Sequence, residues 1–258
     1  MRRRKPKKRF LGAVLAAVPV IALVLVVYLA AVGRTERADT QLVVVAQGDT
    51  LSQIARRFAV TPEAVASLNR LADPSRIYPD QVLLVPMGPE ARLPASLSQR
   101  VAAITRVPPG VHRRRWRYIV VHHSAAPSGS ARSMHDFHLT GRGWPNGLGY
   151  HFVIGNGSPT PDGFIEVGPR WAKQLHGAHA KSPGNRMNQI GIGICLVGNF
   201  EETHPTDEQM RALVALVRRL QRRYHIPARN VIGHRDVVEA DTLCPGRNFS
   251  IERLRKML

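Results

Sequence analysis

The feature that most restricts the fold of this chain is an uncharged apolar stretch near its amino terminus. No charged residue occurs from Phe10 to Val32, and a helix of that length reaches roughly 34 Å, which is enough to cross a bilayer. Seven basic residues within 1–9 precede the stretch, and basic flanks of this kind stay on the cytoplasmic side. We therefore predict a cytoplasmic segment over residues 1–9, a transmembrane helix or signal anchor over residues 10–32, and an extracytoplasmic remainder.

A cleaved signal peptide is the alternative interpretation of the same stretch. The apolar core of a signal peptide usually spans about 7 to 15 residues, although Ala31 and Gly33 resemble a small-residue cleavage site. The greater length favours the anchor. With the anchor retained, the protein is expected at the inner or cytoplasmic membrane as a single-pass protein, with its folded part on the periplasmic or outer side.

The charge and the cysteine content limit the partners and the framework of the protein. The formal net charge is +19, of which +12 remains when residues 1–9 are set aside, and such a balance favours an anionic partner. The P-loop, zinc-finger and RNP patterns do not occur in the sequence, so we predict no nucleic-acid partner.

Only Cys195 and Cys244 are present, which excludes a disulfide framework. Cys195 lies in an apolar run typical of a small buried residue, whereas Cys244 precedes a Pro-Gly loop.

Residues 41–86 have the pattern of a small βααβ domain. Leucine and β-branched runs predict two strands at 42–45 and 82–85. Between them, Thr50 and Thr61 each stand where a threonine caps the start of a helix. We therefore predict strand, helix, helix and strand in this order.

Two segments of this region, QGDTLSQIA and IYPDQVLLVP, resemble the LysM module, a small glycan-binding domain. The resemblance covers residues 41–86 and implies binding of chains that contain N-acetylglucosamine, in a shallow groove between two loops. The residues that it places in this groove are Gly48, Asp49, Thr50, Leu51, Ile77, Tyr78 and Pro79. Most of these residues are also needed for the turn and the small core, so a purely structural role is the alternative for each of them.

A stretch rich in proline and small polar residues follows the predicted βααβ domain. Residues 87–111 have the composition of a linker between domains, with a short helix expected around 96–104. The remaining residues, 112–258, are long enough for a second domain with its own core.

Histidines and one cysteine at predicted strand ends form the candidate site for chemistry. A β-branched run predicts a strand that delivers His122 and His123, and only one of these side chains can face a given site, because successive strand residues point to opposite sides. A second short strand at 231–232 leads into His234, and Cys244 follows in a loop. Two imidazoles and one thiolate make a three-ligand zinc site with an open fourth position, as in catalytic sites. Spacing alone leaves open that these are core histidines and an incidental cysteine.

Several segments together resemble the zinc-dependent N-acetylmuramoyl-L-alanine amidases related to peptidoglycan recognition proteins. These segments are YIVVHHSA, GLGYHFVIGNG, LHGAHA, IGIGICLVGNF and GHRDVVEADTLCPG. The likeness covers residues 112–258 and implies an α/β domain with a mixed central sheet flanked by helices. It implies Zn²⁺ ligands at His122, His234 and Cys244, and a catalytic tyrosine at Tyr150.

The resemblance extends to two further positions. Thr242 stands two residues before the cysteine, where members of the family carry either lysine or threonine; its hydroxyl can bond an oxyanion or a water but brings no fixed positive charge. His179 of GAHA is placed along the substrate cleft. For five further histidines a structural role is at least as good an interpretation as a functional one: His123, His135, His138, His151 and His176.

The predicted reaction is hydrolysis of the amide bond between N-acetylmuramic acid and the L-alanine of the stem peptide. Zinc held by two neutral imidazoles and one thiolate keeps a net positive charge, which lowers the pKa of a bound water toward about 7. The phenol of Tyr150 is then expected to stabilise the oxyanion. The alternative is a protein of the same fold that recognises peptidoglycan without cutting it, and in such a protein we expect the cysteine ligand to be lost. The predicted partners are therefore peptidoglycan and, through residues 10–32, the membrane.

Overall fold

The computed structural model of the protein describes residues 39–91 and 93–258. The predicted cytoplasmic segment 1–9 and the predicted span 10–32 lie outside these described residues. Within the two described ranges, no helix combines the length and the apolar character that crossing a membrane requires.

The amino-terminal part of the described chain is the predicted βααβ unit. Its elements are β1 (Thr40–Val44), α1 (Leu51–Arg57), α2 (Pro62–Asn69) and β2 (Val82–Pro86). The two strands pair antiparallel. Both helices begin as predicted, because the hydroxyls of Thr50 and Thr61 accept backbone N–H bonds of the first turn. Apolar side chains from all four elements, among them Ile54, Val65 and Val85, close a small core.

The rest of the described chain folds around a mixed sheet. Its elements are α3 (Leu97–Ile104), β3 (Tyr118–His123), α4 (Ala131–Asp136), β4 (Phe152–Ile154), β5 (Ile165–Val167), α5 (Pro169–Ala172), α6 (Arg186–Ile190), β6 (Gly191–Leu196), α7 (Asp207–Tyr224), β7 (Val231–Gly233) and α8 (Ile251–Lys256). A π-helical turn, Phe137–Gly141, follows α4 directly.

The order of strands in this sheet is β5-β4-β6-β3-β7. The pairs β4–β6, β6–β3 and β3–β7 are parallel, and only β4–β5 is antiparallel, which confirms the prediction of a mixed central sheet. The capped helix α7 packs three fully buried leucines, Leu213, Leu216 and Leu220, into the core that covers the sheet. Parallel strands bring their carboxyl ends to one edge, so the ends of β3 and β7 meet there.

Besides its own small core, the βααβ unit contributes two buried side chains to the core of the large sheet. Leu42 and Leu84 of the small unit are buried in the same cluster as the side chains of the large sheet. Strand β2 also contacts the edge strand β5, so the small unit lies against this edge of the sheet. The stretch 87–111 contributes α3, whose Ile104 is buried and accepts a 3.0 Å hydrogen bond from the indole of Trp171. The described chain from Asp39 onward is accordingly one compact unit.

Candidate metal centre

Three side chains converge where β3 and β7 end. Ligating atoms of His122, His234 and Cys244 all lie within 4.8 Å of one another, and Sγ of Cys244 is 3.7 Å from Nδ1 of His122. Tetrahedral zinc with bonds of about 2.3 Å to sulfur and about 2.05 Å to nitrogen separates the two ligand atoms by about 3.6 Å. The distance and the donor types of this site therefore fit zinc.

The hydrogen bonds behind His122 leave its Nδ1 free to bind a metal. Nε2 of His179 lies 3.2 Å from the carbonyl oxygen of Gly191 and must donate to it, because a carbonyl only accepts. Burial lowers the pKa of His179 to about 3, so the ring is neutral and its Nδ1 is an acceptor. That Nδ1 lies 3.1 Å from Nε2 of His122, which must then donate. The lone pair of His122 is consequently at Nδ1, on the side of Cys244.

His179 occupies a slot that the fold keeps open for it. A Cβ atom at either Gly177 or Gly193 would overlap its ring. The side-chain oxygen of Asn188 accepts the backbone N–H groups of His179 and Ala180 at 2.8 and 3.0 Å. The side chain is buried, so the structure places His179 directly behind His122.

The loop that carries Cys244 is fixed by several hydrogen bonds. The hydroxyl of Thr242 accepts the backbone N–H of Cys244 at 3.1 Å, and the Cys244 sulfur accepts the backbone N–H of His123 at 3.4 Å. The guanidinium of Arg235, which sequence reasoning did not single out, donates to the carbonyl oxygens of Gly246 and Phe249, both at 2.9 Å. In the sequence, Arg235 directly follows His234, the candidate metal ligand.

Burial disfavours the ionised form of the cysteine in the protein alone. It raises the pKa of the Cys244 thiol to about 12, although the His123 N–H and the charge of Arg235 act in the opposite direction. A bound metal cation reverses this balance, because coordination deprotonates a thiol. The thiol of Cys244 is therefore protonated in the metal-free protein, and a cation held by the neighbouring histidines would favour its ionised form.

The second member of the histidine pair faces away from the metal centre. Nδ1 of His123 accepts the backbone N–H of Phe200 at 3.0 Å, and the two rings lie 5.8 Å apart. Only His122 of the pair takes part in the convergent group, as the alternation of side chains along a strand requires.

Tyr150 lies beside the three convergent side chains. Its ring centroid is 5.1 Å from that of His122. Burial raises the pKa of the phenol well above its ordinary value, and the thiols of Cys195 and Cys244, together with a hydrogen bond to Cys195, act in the same direction. The phenol therefore keeps its proton and is a hydrogen-bond donor at neutral pH.

An aromatic and apolar surface continues outward from Tyr150. The ring of His138 stacks on Trp144 at 4.7 Å and lies 5.9 Å from Tyr150. In the same π-helical turn, Phe137 and Leu139 are exposed by 55% and 42%, and π-helical turns are frequent at functional sites. Sequence reasoning missed this surface, because the departure from α-helical geometry leaves no periodic pattern.

The residues predicted to contact glycan fall into two places. Gly48 and Asp49 line an exposed groove together with Gln53, Arg56 and Arg57 of α1. Tyr78 instead lines a cavity between the βααβ unit and the sheet, with the guanidinium of Arg132 over its ring at 4.7 Å. Thr50 is the cap of α1.

Comparison with known proteins supports both resemblances. The profile of the N-acetylmuramoyl-L-alanine amidase family matches residues 112–247 and that of the LysM domain matches residues 43–86. Peptidoglycan-recognition protein LB of Drosophila melanogaster is 34% identical over 145 residues, which are 52% of this chain and 56% of that protein. An N-acetylmuramoyl-L-alanine amidase of Sus scrofa is 30% identical over 141 residues, 50% of this chain and 21% of that protein.

Among solved structures, N-acetylmuramoyl-L-alanine amidase LysC from Clostridium intestinale URNW aligns with 55% of this chain and 85% of its own, at 35% identity and a TM-score of 0.47. The chain spans only about a fifth to about half of the length of the two curated relatives. The amidase profile nevertheless covers more than half of the chain. The chain therefore belongs to the N-acetylmuramoyl-L-alanine amidase family and carries a LysM domain ahead of its amidase domain.

Proposed function

We propose that the protein is a zinc-dependent peptidoglycan amidase that cleaves the bond between N-acetylmuramic acid and the L-alanine of the stem peptide. The observation that carries the proposal is the convergence of His122, His234 and Cys244 beside the protonated phenol of Tyr150. A protein that only recognises peptidoglycan has no use for three metal ligands with an open position. The complete set therefore favours hydrolysis over recognition alone.

The chain divides the chemistry between the metal and its own residues. Zinc bound by the three ligands would supply Lewis acidity and a water that ionises near neutral pH. Tyr150 donates its phenolic hydrogen bond toward the oxygen that gains charge as the amide carbonyl is attacked. His179 holds His122 in the tautomer that ligation needs. Thr242 steadies the cysteine loop as an acceptor and keeps its own proton for a water or a substrate oxygen.

The decisive experiment measures which bond of purified cell wall is cut. New amino-terminal alanine without new reducing sugar is the expected product pattern. Cys244→Ser should lose both zinc and activity, because a serine hydroxyl does not ionise at neutral pH. Tyr150→Phe should keep zinc and lose about 100- to 1,000-fold in turnover, as for a lost oxyanion donor, whereas Tyr118→Phe removes a phenol elsewhere and should change neither. Wall binding by the zinc-loaded protein without any release of peptide would establish the recognition alternative instead.

We further propose that the exposed groove at Gly48 and Asp49 holds glycan chains and that residues 10–32 anchor the protein with residues 34–258 outside the cytoplasmic membrane. The support for the anchor is the uncharged length of that stretch and the basic residues before it. Protease added to spheroplasts should degrade the amidase domain together with a known periplasmic domain. Protection until the membrane is dissolved would contradict this orientation.

A further inference from the structure

A cavity between the LysM unit and the amidase sheet takes no part in the reaction proposed above. Its volume is about 470 Å³, which lies within the range of small-ligand sites. We refer to it as the interface cavity. Its walls come from the LysM unit, from α3 and from the region of β5, and include Arg70, Tyr78, Leu84, Arg100, Phe164 and Glu166.

Two guanidinium groups in the interface cavity lack an anionic partner. The guanidinium carbons of Arg70 and Arg100 lie over the ring of Phe164, 5.1 and 4.1 Å from its centroid. Arg100 donates to the carbonyl oxygen of Leu68 at 2.8 Å, but its buried Nε has no hydrogen-bond partner within the described residues. Across the same two ranges, neither arginine forms an ion pair with a carboxylate.

The proximity of these two charges is unfavourable in the protein alone. Burial and the neighbouring charge of Arg70 lower the pKa of Arg100 to about 10. Arg100 is partly buried whereas Arg70 is exposed, so the repulsion acts mainly on Arg100, where reduced solvation makes it stronger than in water. An anion bound between the two groups would relieve this repulsion.

Two carboxylates line the cavity, Asp73 and Glu166, and within the described residues neither forms an ion pair with Arg70 or Arg100. Asp73 accepts the backbone N–H and the hydroxyl of Ser75 at 2.9 and 2.6 Å. The carboxylate of Glu166 accepts the backbone N–H of Ala131 at 2.8 Å and the hydroxyl of Thr160 at 2.9 Å. Arg132 pairs with Asp136 on its own helix. The remaining wall is largely apolar, with Leu42, Val82, Leu84, Ile104 and Ile165 among its residues. The cavity thus matches a small ligand that combines an anionic group with an apolar body.

We propose that the interface cavity binds a free carboxylate of a peptide, with Arg70 and Arg100 receiving the carboxylate and the apolar wall receiving methyl-sized side chains. Planar guanidinium groups match the geometry of a carboxylate. The identity of the peptide as a stem peptide of the cell wall rests on the proposed function. If a second stem peptide is bound in the interface cavity, then the glycan groove of the LysM unit, the cavity and the metal centre all contact the same segment of cell wall. This raises the local concentration of substrate at the metal centre.

The test is a titration of the full-length chain, labelled with ¹⁵N at the arginine Nε atoms, with the synthetic peptide L-Ala-γ-D-Glu-L-Lys-D-Ala. The Nε–Hε resonances of Arg70 and Arg100 should shift and saturate. The same peptide with its carboxylates converted to carboxamides should bind at least about tenfold more weakly, since hydrogen bonds to charged groups contribute roughly tenfold to a hundredfold in affinity. Arg70→Gln should weaken binding of the free acid by a similar factor. Arg211→Gln, which removes one charge from an exposed site on α7, should leave it unchanged.

Three results would overturn the proposal. The first is equal affinity for the acid and the carboxamide, a comparison that needs no variant and so stands even if Arg70→Gln unfolds. The second is an equal response to inorganic phosphate, which would reveal an unselective anion site. The third is a shift of Arg235, beside the metal centre, without any shift of Arg70 and Arg100. Absence of wall hydrolysis would refute the proposed function. The titration would still show whether the interface cavity binds the carboxylate, because it needs no turnover.

Discussion

Replacing His179 tests whether its hydrogen bond to His122 determines the affinity of the metal centre for zinc. His179→Leu keeps an apolar side chain of similar volume in the slot beside Gly177 and Gly193, but removes the acceptor for Nε2 of His122. His122 is 1% exposed, so this N–H then lacks both a protein partner and bulk water. The ring also loses the contact that fixes its tautomer.

The expected loss follows from that geometry. A buried N–H left without an acceptor costs about 1 to 3 kcal/mol, and every 1.4 kcal/mol or so is tenfold in an equilibrium constant. Loss of the partner of a metal-binding histidine elsewhere weakens metal affinity by about 10- to 100-fold. Both estimates agree, so His179→Leu should weaken zinc binding by about one to two orders of magnitude.

Competition with a chromophoric zinc chelator measures this affinity directly, without any turnover. His179→Gln is the matched control, because its side-chain carbonyl offers His122 an acceptor again and should recover part of the loss. The visible spectrum of the cobalt-substituted protein should show all three ligands in both variants, since none of them is changed. Unaltered zinc affinity in His179→Leu, or an equal loss in His179→Gln, would refute the assignment of His179 as a positioning residue.

Burial and charge elsewhere in the fold lead to two further expectations. Leu84→Ala should lower the free energy of unfolding by about 2 to 5 kcal/mol, because Leu84 is 2% exposed in the core shared by the two units; Asp80→Asn should cost under about 1 kcal/mol, since its ion pair with Lys173 is exposed. Denaturant titrations compare the two, and similar losses would contradict the shared core. Burial holds the pKa of His151 well below its ordinary value, so below about pH 6.5 the unfolded chain binds a proton that the folded chain excludes. The free energy of unfolding should therefore fall by up to about 1.4 kcal/mol on account of this residue between pH 7.5 and pH 5.5, and an unchanged pH slope in His151→Asn would contradict this.

Local signals explain why much of the fold and the metal centre could be predicted. Threonine caps and β-branched runs act within a few residues, so the helices after Thr50 and Thr61 begin where they were expected. Strand ends marked the histidine pair, His234 and Cys244 as candidates, and alternation along a strand allowed only one member of the pair to face the site. The resemblance to the amidase family then assigned His122, His234 and Cys244 as the ligands.

Properties that depend on distant parts of the chain could not be predicted in the same way. The slot of His179 exists because two glycines far apart in the sequence, Gly177 and Gly193, both lack a Cβ there. The composition of residues 87–111 is that of a linker, yet α3 buries Val101 and Ile104. This burial could not be predicted, because a helix of two turns is too short to display a convincing periodicity. Tyr78 was placed with the glycan groove, whereas packing against the amidase domain brings it into the interface cavity.

The shared core also decides how the role of the LysM unit must be tested. Deleting residues 41–86 would remove Leu42 and Leu84 from the main cluster and uncover the edge strand β5, so lost activity would report unfolding as readily as lost glycan binding. Changes in the exposed groove avoid this difficulty. Arg56→Ala alters a groove side chain at the surface of α1 and should lower activity on insoluble wall while sparing soluble muropeptide, with no change in melting temperature. Equal losses on both substrates would show that the groove does not hold the wall for the amidase domain.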